Sequence, residues 1–205
     1  YDTHMARVLL VLPTATYRAS DFLAASRALD AEVVVASERR QAMSGTMGDR
    51  ALVVDLRRPE AAAQAIVARA QEKPLDAVVG ADEQGVLVAA LAAARLGLAH
   101  NPPEAVAATR DKTVMRGAFA AAGLRQPDYR VAGPDADVAQ LASEVGLPCV
   151  VKAVSLSASR GVIRADDPAA VDAAAERVRA ILADAGEDPE APLLVEGYVP
   201  GVEVA

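Results

Sequence analysis

Leu147-Pro148-Cys149-Val150-Val151-Lys152-Ala153 is followed by the loop Val154-Ser155-Leu156-Ser157-Ala158-Ser159-Arg160-Gly161-Val162. A short apolar run ends on a lysine, a small-residue loop comes next, and a second short run, Gly161-Val162-Ile163-Arg164, leads away. Apolar residues on both sides of a lysine point to a strand inside a sheet. A lysine there needs an anionic partner, because an unpaired buried ammonium is costly. Phosphate is the natural candidate, since serine hydroxyls and loop N–H groups donate to the same oxygens. The alternative is an edge-strand lysine whose head snorkels to water.

Working outward, composition narrows the function classes. The 205 residues suffice for one large or two small domains with a real core. Hydrophobic residues make up 53% and aromatics 3%, so the core is built from Ala, Val and Leu. A net charge of −7 argues against general nucleic-acid or anionic-membrane binding, but not against a nucleotide site, which needs only a few local cations. The single Cys149 allows neither an internal disulfide framework nor a cysteine-rich zinc site. With only His4 and His100, histidine metal binding has little scope, and no metal ligand is assigned. No apolar run approaches the roughly 18 residues of a membrane span, and no signal peptide is evident, so a cytoplasmic protein is expected. Residues 1–5 are set apart as a tag remnant that ends at a native Met5.

Residues 6–100 alternate strands and helices. Ala6–Pro13, Ala31–Ala36, Ala51–Asp55 and Leu75–Gly80 read as strands. Helices are expected from a Ser20 cap to Asp30 (with Phe22, Leu23, Ser26 and Leu29 on one face), from Pro59 to Glu72, and from Glu83 to Leu96. The segment Gln41–Asp49 is loop-like. The pattern predicts a parallel α/β sheet with right-handed crossovers. Pro13-Thr14-Ala15-Thr16-Tyr17-Arg18 stands where a dinucleotide-binding sheet carries its Gly-x-Gly-x-x-Gly turn, so NAD binding is not inferred. Thr14, Thr16, Arg18, Asp82 and Glu83 are rim candidates at the strand ends.

Asn101-Pro102-Pro103-Glu104 marks a boundary with a capping signature. Beyond it the expectation is a short helix, a helix from Arg110 to Ala122 ended by Gly123, a strand over 127–131, and a helix from Asp135 to Val145. The Lys152 strand and its loop follow, then a helix capped by Asp167-Pro168 and a strand Leu193–Glu196. The chain stops at Ala205 with no cap, turn or polar tail, which predicts a fragment. Only three lysines occur among 21 basic residues: Lys73, Lys112 and Lys152. In so arginine-rich a sequence, Lys112 and Lys152 suggest a need for a compact point charge. Lys112 opens a helix, where a cation opposes the dipole, which favours a role for its side chain elsewhere. Cys149 reads as core and Asp111 as a helix-start carboxylate.

Three segments in order resemble the ATP-grasp superfamily, and among its members the carboxylate–amine ligases. They are Asn101-Pro102-Pro103-Glu104 with Arg110-Asp111-Lys112; Pro148-Cys149-Val150-Val151-Lys152 with its Ser-rich loop and Gly161-Val162; and Val195-Glu196-Gly197-Tyr198-Val199-Pro200-Gly201-Val202-Glu203. The resemblance runs through motifs over 100–205 and through the α/β pattern over 6–100. It implies a parallel-sheet, Rossmann-like pre-ATP-grasp domain (6–100), a first, lid-type ATP-grasp subdomain of α+β type (101–192), and a hinge with the start of a second subdomain (193–205). By that resemblance Lys112 and Lys152 hold ATP phosphates, and Ser155, Ser157, Ser159, Arg160 and Gly161 form the covering loop. That loop is poorer in glycine than is usual in the family. Glu196, Gly197, Tyr198 and Val199 receive the adenine, and Glu203 the ribose hydroxyls. The chemistry agrees, since an aminopurine edge needs a donor and an acceptor, and a carboxylate accepts two hydroxyls.

The implied reaction is ATP-dependent joining of a small-molecule carboxylate to an amine through an acylphosphate, with release of ADP. The implied cofactors are ATP and Mg²⁺, the metal held by residues C-terminal to this chain; the oligomeric state stays open, although family members are often homodimers. Catalytic residues are not assigned, and the 205-residue chain alone is expected to be inactive and to bind nucleotide weakly or not at all. Two other readings stay open: a non-catalytic nucleotide-binding or regulatory module of the same fold, and a generic α/β sugar- or nucleotide-binding protein outside the superfamily.

Overall fold

The computed structural model describes residues 5–14, 16, 18–39 and 50–202. The expected loop Gln41–Asp49, the leader Tyr1–His4 and the candidate Glu203 lie outside the described residues. The chain divides into two compact units, Tyr1–Ala107 and Ala108–Ala205.

The first unit is a four-stranded parallel sheet in the order β3-β2-β1-β4, from β1 (Arg7–Val11), β2 (Glu32–Ser37), β3 (Ala51–Val53) and β4 (Ala77–Gly80). Its helices are α1 (Ala19–Ala28), α2 (Pro59–Glu72) and α3 (Asp82–Leu96). Strand alternation sorts the core onto two faces. Leu9, Val11, Val34 and Ala36 pack with Ile66 of α2 and Val88 of α3, while Leu10, Leu12, Val33 and Val35 meet Phe22 and Leu23 of α1. Each fully buried Leu, Val or Ile contributes roughly 2 kcal/mol. Helices on both faces explain why the strands read as continuous apolar runs.

Two sequence expectations for α1 are corrected. The N-cap is Arg18, without a side-chain cap bond, so Ser20 lies inside the first turn. The helix closes at Ala28, which leaves Leu29 78% exposed instead of on the packed face. Near the C-terminal strand ends the first turn of α3 lies against the sheet. A Cβ on Gly85 would sit 2.7 Å from the Val11 carbonyl oxygen, and one on Gly80 2.7 Å from the Gly85 backbone. Only glycine permits that approach.

The second unit holds a four-stranded antiparallel sheet in the order β5-β8-β6-β7: β5 (Tyr129–Ala132), β6 (Cys149–Ala153), β7 (Val162–Ala165) and β8 (Leu193–Gly197). The helices are α4 (Pro103–Arg110), within which the division between the units falls, α5 (Lys112–Ala121), α6 (Val138–Val145) and α7 (Pro168–Asp184). Asp111, Asp137 and Asp167 cap α5, α6 and α7 by accepting from backbone N–H groups of their first turns. Asp111 is thus the helix-start carboxylate that its position suggested.

One sheet face forms the core. Cys149, Val151 and Ala153 of β6 and Leu193 and Val195 of β8 pack against Val138 and Ala142 of α6 and Val171, Val178 and Leu182 of α7. Cys149 is fully buried, and burial, with Asp166 nearby, pushes its thiol pKa up, as suits a core residue. The two-residue period sends Val150 and Lys152 of β6, and Leu194 and Glu196 of β8, to the other face.

Candidate functional site

That other face carries the charge. Register pairs Lys152 with Leu194 and Val150 with Glu196, so Lys152 and Glu196 are diagonal neighbours on adjacent strands. Lys152 Nζ donates to Glu196 Oε2 at 2.7 Å. Arg116, on α5, closes on the same carboxylate as a fork, with Nε to Oε1 at 2.7 Å and Nη2 to Oε2 at 3.0 Å. Glu196 is 5% exposed, and the side chains of Arg116 and Lys152 are each 14% exposed. Burial pushes the Glu196 carboxyl pKa up. The hydrogen bonds and charges of Arg116 and Lys152 outweigh that and hold it below the usual carboxylate range. The cluster therefore sets two cations against one carboxylate, leaving a positive surplus on a mostly buried surface.

Lys112 turns back from the first turn of α5. Its Nζ donates to the Val154 carbonyl at 3.1 Å and to the Leu156 carbonyl, and its backbone N–H meets Val154 O at 3.5 Å. The cation thus lies against carbonyl oxygens of the loop that leaves β6, a favourable alternative to opposing its own helix dipole. Within that loop Ser155 bonds Glu187 beyond the end of α7. Leu156 is buried, whereas Ser157, Ser159 and Arg160 are exposed. Ala158, Ser159 and Gly161 take positive φ values of 54°, 57° and 63°, and the Gly161 carbonyl accepts from Ala153 N–H to close the loop on its strand. A Cβ at Gly161 would meet Leu156 and Val178 side chains at 3.5 and 3.6 Å, so the loop base is packed while its tip faces solvent.

After β8 the chain continues through Tyr198 and Val199. Gly197 N–H donates to Asp128 O at 2.9 Å and Tyr198 N–H to Pro148 O at 3.0 Å. Val199 is 66% exposed. The Arg164 guanidinium of β7 lies 4.3 Å from the Tyr198 ring centroid, a cation–π contact that fixes the ring.

The structure thus joins Lys152 to Glu196 directly, places Lys112 at the base of the following loop, and leaves Ser157, Ser159 and Arg160 at its tip. Sequence reasoning missed Arg116. Its signal was its position four residues after Lys112, which puts both cations on one helix face. Of the rim candidates in the first unit, Thr14 is occupied: its N–H and Oγ1 both donate to Glu38 Oε2 at 2.8 Å. Thr16 Oγ1 accepts from Arg18 N–H at 3.2 Å. Among the described residues no group of three His, Cys, Asp or Glu side chains is placed to hold a metal ion, and no helix is long and apolar enough to cross a membrane.

Comparison with known proteins agrees with this architecture. Residues 23–100 match the ATP-grasp N-terminal domain family. A 60-residue stretch is 43% identical to an uncharacterised protein, y4rH, of Sinorhizobium fredii, covering 29% of this chain and 13% of that one. Among solved structures, L-amino acid ligase from Bacillus licheniformis superposes with a TM-score of 0.69 at 19% identity, over 96% of this chain and 45% of that one. The biotin carboxylase domain of the Hydrogenobacter thermophilus 2-oxoglutarate carboxylase, solved with MgADP, ADP and bicarbonate, gives 0.66 at 19% identity over 94% and 44%. N5-carboxyaminoimidazole synthase from Aspergillus clavatus, solved with ADP and 5-aminoimidazole ribonucleotide, gives 0.67 at 16% identity over 95% and 47%. The chain spans less than half the length of these relatives. It has the fold of the N-terminal part of the ATP-grasp ligases, with residues 23–100 matching that superfamily's N-terminal domain.

Proposed function

We propose that this chain is the nucleotide-binding part of an ATP-dependent ligase that joins a small-molecule carboxylate to an amine through an acylphosphate, releasing ADP. The observation that carries this reading is the cluster Arg116–Glu196–Lys152, a cation surplus on the sheet face that the core leaves free. A surplus ammonium held on a strand suits the oxygens of a polyphosphate, because phosphoryl transfer depends on positioning and on cations at the developing charge. Lys152 takes the role of phosphate ligand. Lys112 takes the same role from the base of the loop, and Ser155–Gly161 cover the phosphates.

Glu196, Gly197, Tyr198 and Val199 form the adenine edge, and Glu203 takes the ribose hydroxyls. The N–H groups of Gly197 and Tyr198 are already used within the fold, so the donor to the purine edge falls to Val199. Domain limits follow the sequence reading: 6–100, 101–192 and 193–205. The described residues do not by themselves form a site for Mg²⁺, and no step here runs through the metal. Metal ligands and the groups that bind the acylphosphate belong to residues C-terminal to this chain, which alone is inactive. The expected setting is the cytoplasm, with a homodimer as the assembly.

The test is ADP release by the full-length protein against a panel of amino acids and amines. ADP formed with one carboxylate–amine pair supports a ligase. ATP binding without ADP release for any pair moves the protein to a non-catalytic nucleotide-binding module. Lys152→Ala weakens ATP binding in either case, and unchanged affinity removes Lys152 from the site.

A further inference from the structure

We propose that Arg116 is a positioning residue for the nucleotide: it holds Glu196 so that Lys152 is free to leave that carboxylate for a phosphate. The inference rests on the nucleotide-binding reading given above. Its basis is how the two oxygens of Glu196 are shared. Oε1 is bonded by Arg116 Nε, and Oε2 by both Arg116 Nη2 and Lys152 Nζ. When Lys152 moves away, both oxygens keep a charged donor from one rigid fork, the geometry for which arginine is suited. Without Arg116 the same carboxylate, 5% exposed, has Lys152 as its single counter-ion among the described residues.

Drawing the ammonium toward a phosphate would then leave a buried anion uncompensated, and that cost falls on nucleotide affinity. The main chain at Arg116 is tied to Gln126, whose Nε2 donates to the Arg116 backbone carbonyl at 3.0 Å. The division of labour is therefore unequal. The guanidinium stays with Glu196 as a permanent clamp, and the ammonium on the flexible four-carbon stem is the exchangeable partner. Glu196 in turn aims Lys152 along the free sheet face when no nucleotide is present.

The test is calorimetric titration of the full-length protein with ATP and with adenosine, for wild type, Arg116→Met, Glu196→Gln and the double variant. Arg116→Met is expected to weaken ATP binding about tenfold, the worth of one charged hydrogen bond, and to weaken adenosine binding less, because the larger penalty arises only when Lys152 goes to a phosphate. In the Glu196→Gln background, which has no carboxylate to strand, Arg116→Met has no further effect on ATP. Arg116→Lys restores part of the loss, and carries the test by itself if Arg116→Met does not fold.

A loss on ATP of equal size in both backgrounds, or an equal loss on adenosine, overturns the proposal while leaving nucleotide binding intact. A wild-type protein that binds neither ligand overturns the nucleotide-binding reading and this inference with it.

Discussion

Each unit of the chain contains a charged cluster around one buried ionisable side chain, Arg7 in the first and Glu196 in the second, and the two clusters are built to different ends. In the first unit Arg7 is 3% exposed. Its backbone N–H donates to Asp76 at 2.7 Å, its Nη1 to the Lys73 carbonyl at 2.6 Å, and its Nε lies 3.5 Å from Glu32. Lys73 meets both oxygens of Glu32 at 2.8 Å. Arg7 and Lys73 both pair with Glu32, Asp76 adds a second carboxylate on the Arg7 backbone N–H, and the arginine ties β1 and β2 to the turn before β4 at the end of the sheet opposite the rim. In the second unit two cations face one carboxylate on the sheet face turned away from the core, where all three side chains are mostly buried. A neutral cluster closes a fold, whereas a cluster with surplus charge of one sign has capacity left for a ligand of the other. Burial of charge alone therefore does not mark a site; the imbalance does.

The comparison can be broken most decisively at Glu196. Glu196→Ala strands two buried cations and is expected to cost about 4 kcal/mol in urea unfolding; a loss below 1 kcal/mol would mean that the cluster carries no structural weight. Next, Arg7→Met should lower stability by about 3 kcal/mol while leaving ATP affinity unchanged. A drop in ATP binding at native protein concentration would erase the distinction between closing clusters and binding clusters.

Lys152→Met gives the reverse pattern. It should weaken ATP binding by about 2 kcal/mol and change the unfolding midpoint little, because Glu196 keeps Arg116. Acid unfolding sharpens the contrast further. The Glu32 carboxyl is lowered by its hydrogen bond to Lys73, and that of Glu196 by Arg116 and Lys152 against burial. A carboxyl whose folded pKa lies below the unfolded value of about 4.3 contributes stability above that pH and loses it as pH falls through the folded pKa. Glu196→Gln should flatten the acid limb of the stability profile below about pH 4.3, and an unchanged limb would place the acid sensitivity elsewhere. The smallest effect belongs to Lys73→Ala, about 0.5 kcal/mol, because the lysine is 51% exposed and its pair with Glu32 is screened.

The same contrast explains what was legible in the sequence. In the first unit strands such as Arg7–Val11 are buried on both faces, so they read as unbroken apolar runs and the parallel sheet follows. In the second, the alternation Cys149-Val150-Val151-Lys152-Ala153 separates a core face from a charged face, which singled out Lys152. Arg116 carried only a local signal, its place four residues after Lys112; its partner Glu196 lies 80 residues away, and only the fold brings them together. Ser20 misled because its residue type suits a cap, while the backbone places Arg18 there. Leu29 misled because helical periodicity carries no signal for where a helix stops.

Helix α5 is one rigid rod of ten residues with a tether at each of two successive turns. Lys112 grips the carbonyls of the loop beyond β6, and Arg116 grips the carboxylate on β8. Because the two tethers share one helix, the loop base and the β8 carboxylate are mechanically linked through it. A rotation of α5 that lengthens one bond must disturb the other. A displacement of the loop base is thereby passed through α5 to the carboxylate on β8.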